Sequence, residues 1–267
     1  MAITTKPVSV TYASKNSKIG YCASTGLAQA TCPPSCAFRA HCMVTSGVMS
    51  ITTHQRNRAA GPQHTAAVLA QAEADGIRSL LRRRPRAAWR ALRIHTVGDA
   101  PTTTAAATIA AAASEYAVGT GLTAVMRTPS YGFTHAWRDV DACAWDQPGV
   151  SVLASCETPE DVRLAWARGY GAAIVRPSES HYTDGRAYLA QDDPFYAGRA
   201  AAVGMRLLPC PEQTGRAAAC NTAEGSGACR LCLNRGFRPY GMVLVLAAHG
   251  DSAADVIAAV QARLDAC

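Results

Sequence analysis

The sequence predicts an α/β fold: a complete or partial β/α barrel of the TIM type, with residues 1–267 as a single domain and a cysteine-rich metal-binding insertion at about 209–249. Three observations lead there. About seven short apolar runs are present, several separated by segments of helical spacing, the alternation that builds a mostly parallel sheet. The length, 267 residues, suits one barrel without a second domain. No Gly-x-Gly-x-x-Gly turn follows any of the strands, which places an open dinucleotide-binding sheet second.

Taken in order, Val8–Tyr12 alternates as a strand and leads into a Ser/Lys/Gly/Pro-rich loop carrying Cys22, Cys32, Cys36 and Cys42. Residues 65–83 repeat apolar side chains at helical spacing (Ala67, Ala70, Ala74, Ile77) until Pro85 interrupts them. Leu92–Val97 reads as a strand, Thr102–Ala117 as an alanine-rich helix after Pro101, and Leu122–Arg127 and Val150–Ala154 as strands. Thr158-Pro-Glu-Asp161 opens a helix with a hydroxyl cap, proline in the first turn and acids against the helix dipole; Gly169 ends it. Ala172–Val175, Met205–Leu208 and Gly241–Ala247 are further strands, 209–240 a long Gly/Pro/Cys loop, and Asp251–Ala266 a closing helix.

Hydrophobic residues make up 49% of the chain and charged residues 17%, which excludes a disordered polymer. No apolar run approaches the roughly 18 residues that cross a bilayer, and the N-terminus lacks the apolar run of a signal peptide. The expectation is a cytoplasmic protein with no membrane partner. The formal charge is +7, yet the lysines are only Lys6, Lys15 and Lys18; beyond them no lysine exists for a Schiff base or a phosphate-binding loop. Eleven cysteines in a reducing compartment favour metal or cluster ligation over disulfides.

Two cysteine groups carry that chemistry. Cys229-x2-Cys232 is a metal knuckle, since two thiolates on one tight turn grip one tetrahedral ion. Cys220 and His249 complete a zinc set, Cys210 is the alternative ligand, and an iron–sulfur cluster using Cys210 is the second reading. Cys32-x3-Cys36-x5-Cys42, in a loop after an early strand, is a possible second site that would leave one iron of a cluster open. Radical S-adenosylmethionine enzymes hold their cluster in such a loop on a partial barrel, although their usual last step is two residues rather than five.

Catalytic side chains of barrels occupy the C-terminal ends of strands. Asp99, ending the His95-Thr-Val-Gly-Asp99 segment, is the carboxylate best placed as base or nucleophile, with a helix N-cap as the competing role. Tyr131-Gly-Phe-Thr-His135-Ala-Trp137-Arg138-Asp139 gathers rings and a guanidinium that would stack a heterocycle, or anchor a loop. Glu157 and Glu179 follow later strands. Arg78, Arg82, Arg83, Arg84, Arg86, Arg90 and Arg93 form the densest basic run, a footprint for a phosphate backbone or a solvated helix end.

The segment Ser155-Cys-Glu-Thr-Pro-Glu-Asp-Val-Arg-Leu-Ala-Trp-Ala-Arg-Gly-Tyr170 resembles part of the queuine tRNA-ribosyltransferases, and Cys220, Cys229, Cys232 and His249 follow the order of that family's zinc ligands. The resemblance, which takes in phage-encoded relatives, implies an enzyme that exchanges guanine in DNA for a 7-deazaguanine base. Asp99 would attack C1′, Glu157 or Asp139 would move the proton, and His95, Tyr131, His135, Trp137 and Arg138 would hold the base. Zinc would be structural, and DNA and the deazaguanine the partners. The first two ligands lie further apart here than in the family, and Ile174 stands where its nucleophile is expected. Two other readings stay open: an iron–sulfur enzyme of radical type at Cys32, Cys36 and Cys42, and a zinc-stabilised nucleic-acid-binding protein using the arginine run.

Overall fold

The computed structural model describes residues 6–13, 20, 22–45, 47–83, 90–124, 129–176, 188–193, 195, 196, 199, 202–217, 240–248 and 253–266. Nine strands form one sheet: β1 (Val8–Thr11), β2 (Cys22–Leu27), β3 (Ala91–Ile94), β4 (Ser130–Thr134), β5 (Val150–Cys156), β6 (Gly171–Arg176), β7 (Tyr188–Leu189), β8 (Arg206–Pro209) and β9 (Met242–Ala247). Their order is β1-β2-β3-β4-β5-β6-β9-β8-β7. Strands β2 through β8 along that order pair in parallel, whereas β1 and β7 pair antiparallel at the two edges. The alternation of strand and helix therefore does produce a mostly parallel sheet. It has two edges, and no pairing joins β1 to β7 among the described residues, so the complete barrel expected as one option is not formed.

Strands β2 to β6 lie side by side in chain order. Crossovers of one hand then fall on one face of the sheet. That face carries α2 (Ala66–Arg83), α3 (Thr103–Gly119), α4 (Pro159–Ala167) and α5 (Ala253–Asp265), packed over Leu92, Ile94, Val152, Ala154, Ile174 and Val245. Alanine dominates α3 because the helix is buried on most of its circumference; Ala106, Ala110 and Ala113 are fully buried. Ser130 of β4 donates to the Ala113 carbonyl at 2.9 Å, which ties that helix to the sheet. The opposite face, here the inner face, carries a smaller cluster of Cys22, Ala91, Tyr131, Leu153, Ala173 and Leu244.

The cap read at Thr158 forms as expected, whereas the α3 cap is Thr102, expected as the first helical residue, and not Asp99. Thr158 accepts from the Asp161 amide while Asp161 accepts in return from the Thr158 amide, a full capping box on α4. Thr102 caps α3 by accepting from the Ala105 amide. Three elements differ from expectation. Leu122–Ala124 is a 3-10 turn, residues 125–128 lie outside the described residues, and the strand begins at Ser130. Cys22–Leu27, read as loop, is the parallel strand beside β3, its apolar signal diluted by Ser24, Thr25 and Gly26. Helix α1 (Gly47–Ala59) went unpredicted because its apolar residues follow no clear stripe. The insertion expected at 209–249 contains β9, between β6 and β8 in the sheet, so it narrows to the β8–β9 connection. No described helix is long and apolar enough to cross a membrane.

Candidate functional site

The C-terminal ends of β2, β3, β4 and β5 bring together the Cys32–Cys42 loop, His95, Asp99, His135 and Glu157. Asp99 is the hub. Its carboxylate accepts from the Ala100 amide (2.8 Å) and the Thr134 hydroxyl (2.8 Å) on one oxygen, and from the amides of His135 (2.7 Å) and Ala136 (3.1 Å) on the other. Its own amide donates to Thr31 Oγ1 at 2.9 Å. Buried at 2% exposure and bonded on both oxygens, it stitches the turns after β2, β3 and β4 together. The carboxylate's oxygens are engaged by three backbone amides and the Thr134 hydroxyl, which gives Asp99, expected as base or nucleophile, the contacts of a scaffold group. Gly98 beside it takes φ +77°, and an added Cβ there would lie 2.6 Å from Leu27 Cβ.

His95 points to the helix face of the sheet. Its Nε2 meets Glu73 Oε2 of α2 at 3.0 Å in a pair 2% and 0% exposed, and Trp145 lies edge-on at 6.2 Å. Burial works to lower the His95 pKa; the charge and hydrogen bond of Glu73, then Asp99, outweigh it and raise it above the ordinary histidine value. The His95 backbone sits at φ 53°, a non-glycine residue in the left-handed region, held by an amide bond to Thr25 Oγ1.

His135, at the end of β4, stands between the cysteine loop and β5. Its Nδ1 lies 3.2 Å from Glu157 Oε1, and the Phe38 ring meets it edge-on at 5.6 Å. Burial lowers its pKa, but hydrogen bonds to Cys36 and Glu157 prevail and raise it to about 10. Glu157, fully buried, also accepts from Arg263 of α5 at 2.7 Å. Arg138 and Arg263 both reach Asp161, which, despite the opposing effect of burial, is held below the usual carboxylate range by a side-chain hydrogen bond with Glu157 and by these two cations. The Arg138 guanidinium lies 4.0 Å above the Trp137 ring, whose Nε1 donates to the Ser155 carbonyl at 2.9 Å. Trp137 and Arg138 thus lock the β4 and β5 ends together instead of presenting a surface for a base. Asp139 is exposed and ends the 3-10 turn after β4. Tyr131 lies within β4, on the inner face, nearly buried and 3.9 Å from Cys22 Sγ.

Cys32, Cys36 and Cys42 occupy the same mouth. Burial first, then the charges of Asp99, Cys36 and Cys42, push the Cys32 thiol up to about 12. Burial also raises Cys42, which feels both Cys36 and His135. Cys32 thus feels both other thiols and Asp99, and Cys42 feels Cys36. Among the described residues no three Cys, His, Asp or Glu side chains converge tightly enough to be a ready-made ligand set. A metal would have to draw the thiols in and displace their protons.

Cys220, Cys229, Cys232 and His249 lie outside the described residues, as does Glu179. Cys210 is buried at the C-terminal end of β8, its amide bonded to the Val245 carbonyl at 3.0 Å. The arginine run does not make one surface. Arg78 forks onto Glu115 at 2.7 and 2.9 Å, Arg90 stacks on Tyr12, and Arg93 enters the inner face; Arg84 and Arg86 lie outside the described residues. Glu73, Thr31 and Arg263 were missed from sequence. Glu73 had a signal: it is a charge set in the stripe of Ala70, Ala74 and Ile77 that buries α2. No protein-family model, curated protein or solved structure matches this chain.

Proposed function

We propose that this chain is an iron–sulfur enzyme of radical type, a partial β/α barrel in which Cys32, Cys36 and Cys42 hold the cluster and the inner sheet face receives the substrate. One observation carries the reading: the three cysteines follow the first parallel strand in one loop at the mouth of a sequentially ordered parallel sheet, where Cys36 and Cys42 raise the cost of ionising Cys32 and Cys36 that of Cys42. Soft thiolates suit iron–sulfur clusters, and a negative ligand set that its own charges disfavour is completed by a cationic centre. When bound, a cluster with one open iron supplies single electrons to a ligand on that iron. The chain's own residues prepare the mouth. Asp99 fixes the turns that present the cysteine loop and His135, and Glu157, anchored by Arg263, holds the His135 ring beside Cys36. The base-exchange reading needs a carboxylate free to attack carbon, whereas Asp99 and Glu157 are bonded on both oxygens and Asp139 is on the surface. Cys220, Cys229 and Cys232, with Cys210 or His249, are proposed as a second, structural metal centre.

Anaerobic purification and reconstitution with ferrous iron and sulfide tests the reading. The expected product is brown, carries iron and acid-labile sulfide, and gives a cluster signal in electron paramagnetic resonance after reduction. Cys32→Ser, Cys36→Ser and Cys42→Ser should each lose that signal, while Cys143→Ser, at an exposed cysteine, should keep it. A colourless zinc protein, coupled with deazaguanine appearing in the DNA of cells that express the chain, would return the argument to base exchange.

A further inference from the structure

The inner face of the sheet has an open strip. Parallel sheets ordinarily bury both faces, yet Ser24 of β2, Arg93 of β3, Phe133 of β4, Ser155 of β5, Val175 of β6 and Leu246 of β9 are all half-exposed. Their neighbours on the helix face, such as Leu92, Ile94, Ala154 and Ile174, are fully buried. Alternation puts these six on one side, and register sets Ser24 directly beside Arg93 and Val175 beside Leu246.

Arg93 is the anomaly in that strip. Its guanidinium lies 4.3 Å from the centre of the Phe133 ring and 5.4 Å from that of Tyr131. Among the described residues it makes no hydrogen bond and no ion pair, whereas Arg78, Arg138, Arg176 and Arg263 are all paired with carboxylates. Stacking uses the flat face of the group and leaves its N–H edge unspent. A planar fork held rigid on aromatic rings is the arrangement that takes an oxyanion through two parallel bonds. The hydroxyls of Ser24 and Ser155, likewise without hydrogen bonds among the described residues, stand on the same face as further donors. Beyond them Leu153, Ala173, Leu244 and Leu246 give the strip an apolar floor.

We infer that Arg93, braced by Phe133 and Tyr131, is an anion-binding subsite on the inner sheet face, which takes the carboxylate or phosphate of a small substrate whose remaining body is flat or apolar. This deepens the proposed function by naming a substrate class, and it rests on that reading only in treating the inner face as the substrate chamber. The chemistry is single: a guanidinium fork, two hydroxyls and an aromatic wall beside an apolar surface.

Calorimetric titration of the full chain with benzoate and with phenyl phosphate, against benzyl alcohol as the neutral counterpart, tests it. At least one anion should bind and the alcohol should not; the preferred anion identifies the head group. Arg93→Met should weaken binding by about tenfold or more, the size expected for a charge-assisted pair. Arg93→Lys should weaken it less while leaving the thermal midpoint in place, which guards against a folding artefact. Phe133→Leu, which keeps the charge but removes the closer ring, should also weaken it. Failure of both anions to bind, equal binding of benzyl alcohol, or unchanged affinity in Arg93→Met would overturn the subsite. Iron content measured on the same samples separates the two claims: loaded protein without anion affinity sinks the subsite alone, and anion affinity in protein that takes up no iron sinks the cluster alone.

Discussion

Replacing Asp99 by alanine should unfold the protein's best-connected corner. The carboxylate accepts four hydrogen bonds, and the substitution leaves the His135 amide, the Ala100 amide and the Thr134 hydroxyl without that acceptor, while Ala136 retains Thr134 Oγ1 at 3.0 Å. A buried donor stripped of its partner costs about 1–3 kcal/mol, so two or three of them amount to roughly 3–6 kcal/mol. Whole domains are stable by about 5–15 kcal/mol, which makes this a large fraction of the total. Asp99→Asn keeps one carbonyl oxygen and should cost about 1–3 kcal/mol, because only one side of the fork is inverted from acceptor to donor. Urea titration followed by far-ultraviolet circular dichroism measures both differences from the shift in midpoint at constant slope. A loss for Asp99→Ala within about 0.5 kcal/mol of zero, the range of an ordinary surface substitution, would refute the scaffold role. It would also restore Asp99 to the list of residues free to do chemistry.

Two further outcomes follow from the same corner. Gly98→Ala should destabilise by more than about 2 kcal/mol, since it adds strain at a positive φ to a contact of 2.6 Å with Leu27 Cβ; a thermal melt near the wild-type midpoint would show that the turn can give. The His95 pKa is raised, so its pair with Glu73 contributes fully below the unfolded histidine value of about 6.5 and is lost as pH rises through the folded value. The urea midpoint should therefore fall from near neutrality upward, and Glu73→Gln should flatten that dependence; a wild-type profile as flat as the variant's would mean that the pair carries no net charge.

The sequence made legible what depends on neighbouring residues. The Thr158 cap and the alanine stripe of α3 are local, and each forms where the pattern places it, one residue aside for the start of α3. Strands with unbroken apolar runs, such as Val150–Cys156 and Met242–Ala247, were also evident. Cys22–Leu27 was not, because its side chains divide between two faces whose environments only the assembled sheet defines. The same limit explains Asp99. Its position at a strand end pointed to chemistry, but a strand end is also where loose backbone amides collect, and only the arrangement of the β4 turn shows that they claim the carboxylate.

Position relative to a strand end therefore sorts the candidate residues better than residue type does. Groups just beyond β2, β3, β4 and β5 were found because sequential parallel strands send all their C-terminal ends to one rim, where whatever follows must meet. A functional group inside a strand escapes that rule. Arg93 reads in the sequence as one member of a basic run whose other members went elsewhere, and nothing in its neighbours shows which face of β3 stays open. Its meaning comes from a coincidence of register and exposure: β4 places two aromatic rings beside it, and among the described residues no carboxylate pairs with it. A charge without a partner among the described residues, on a face of apolar side chains and two hydroxyls, costs the fold stability, and the aromatic stack offsets only part of that cost. The remainder would be recovered when an anion arrives, which gives substrate binding at this face its driving force.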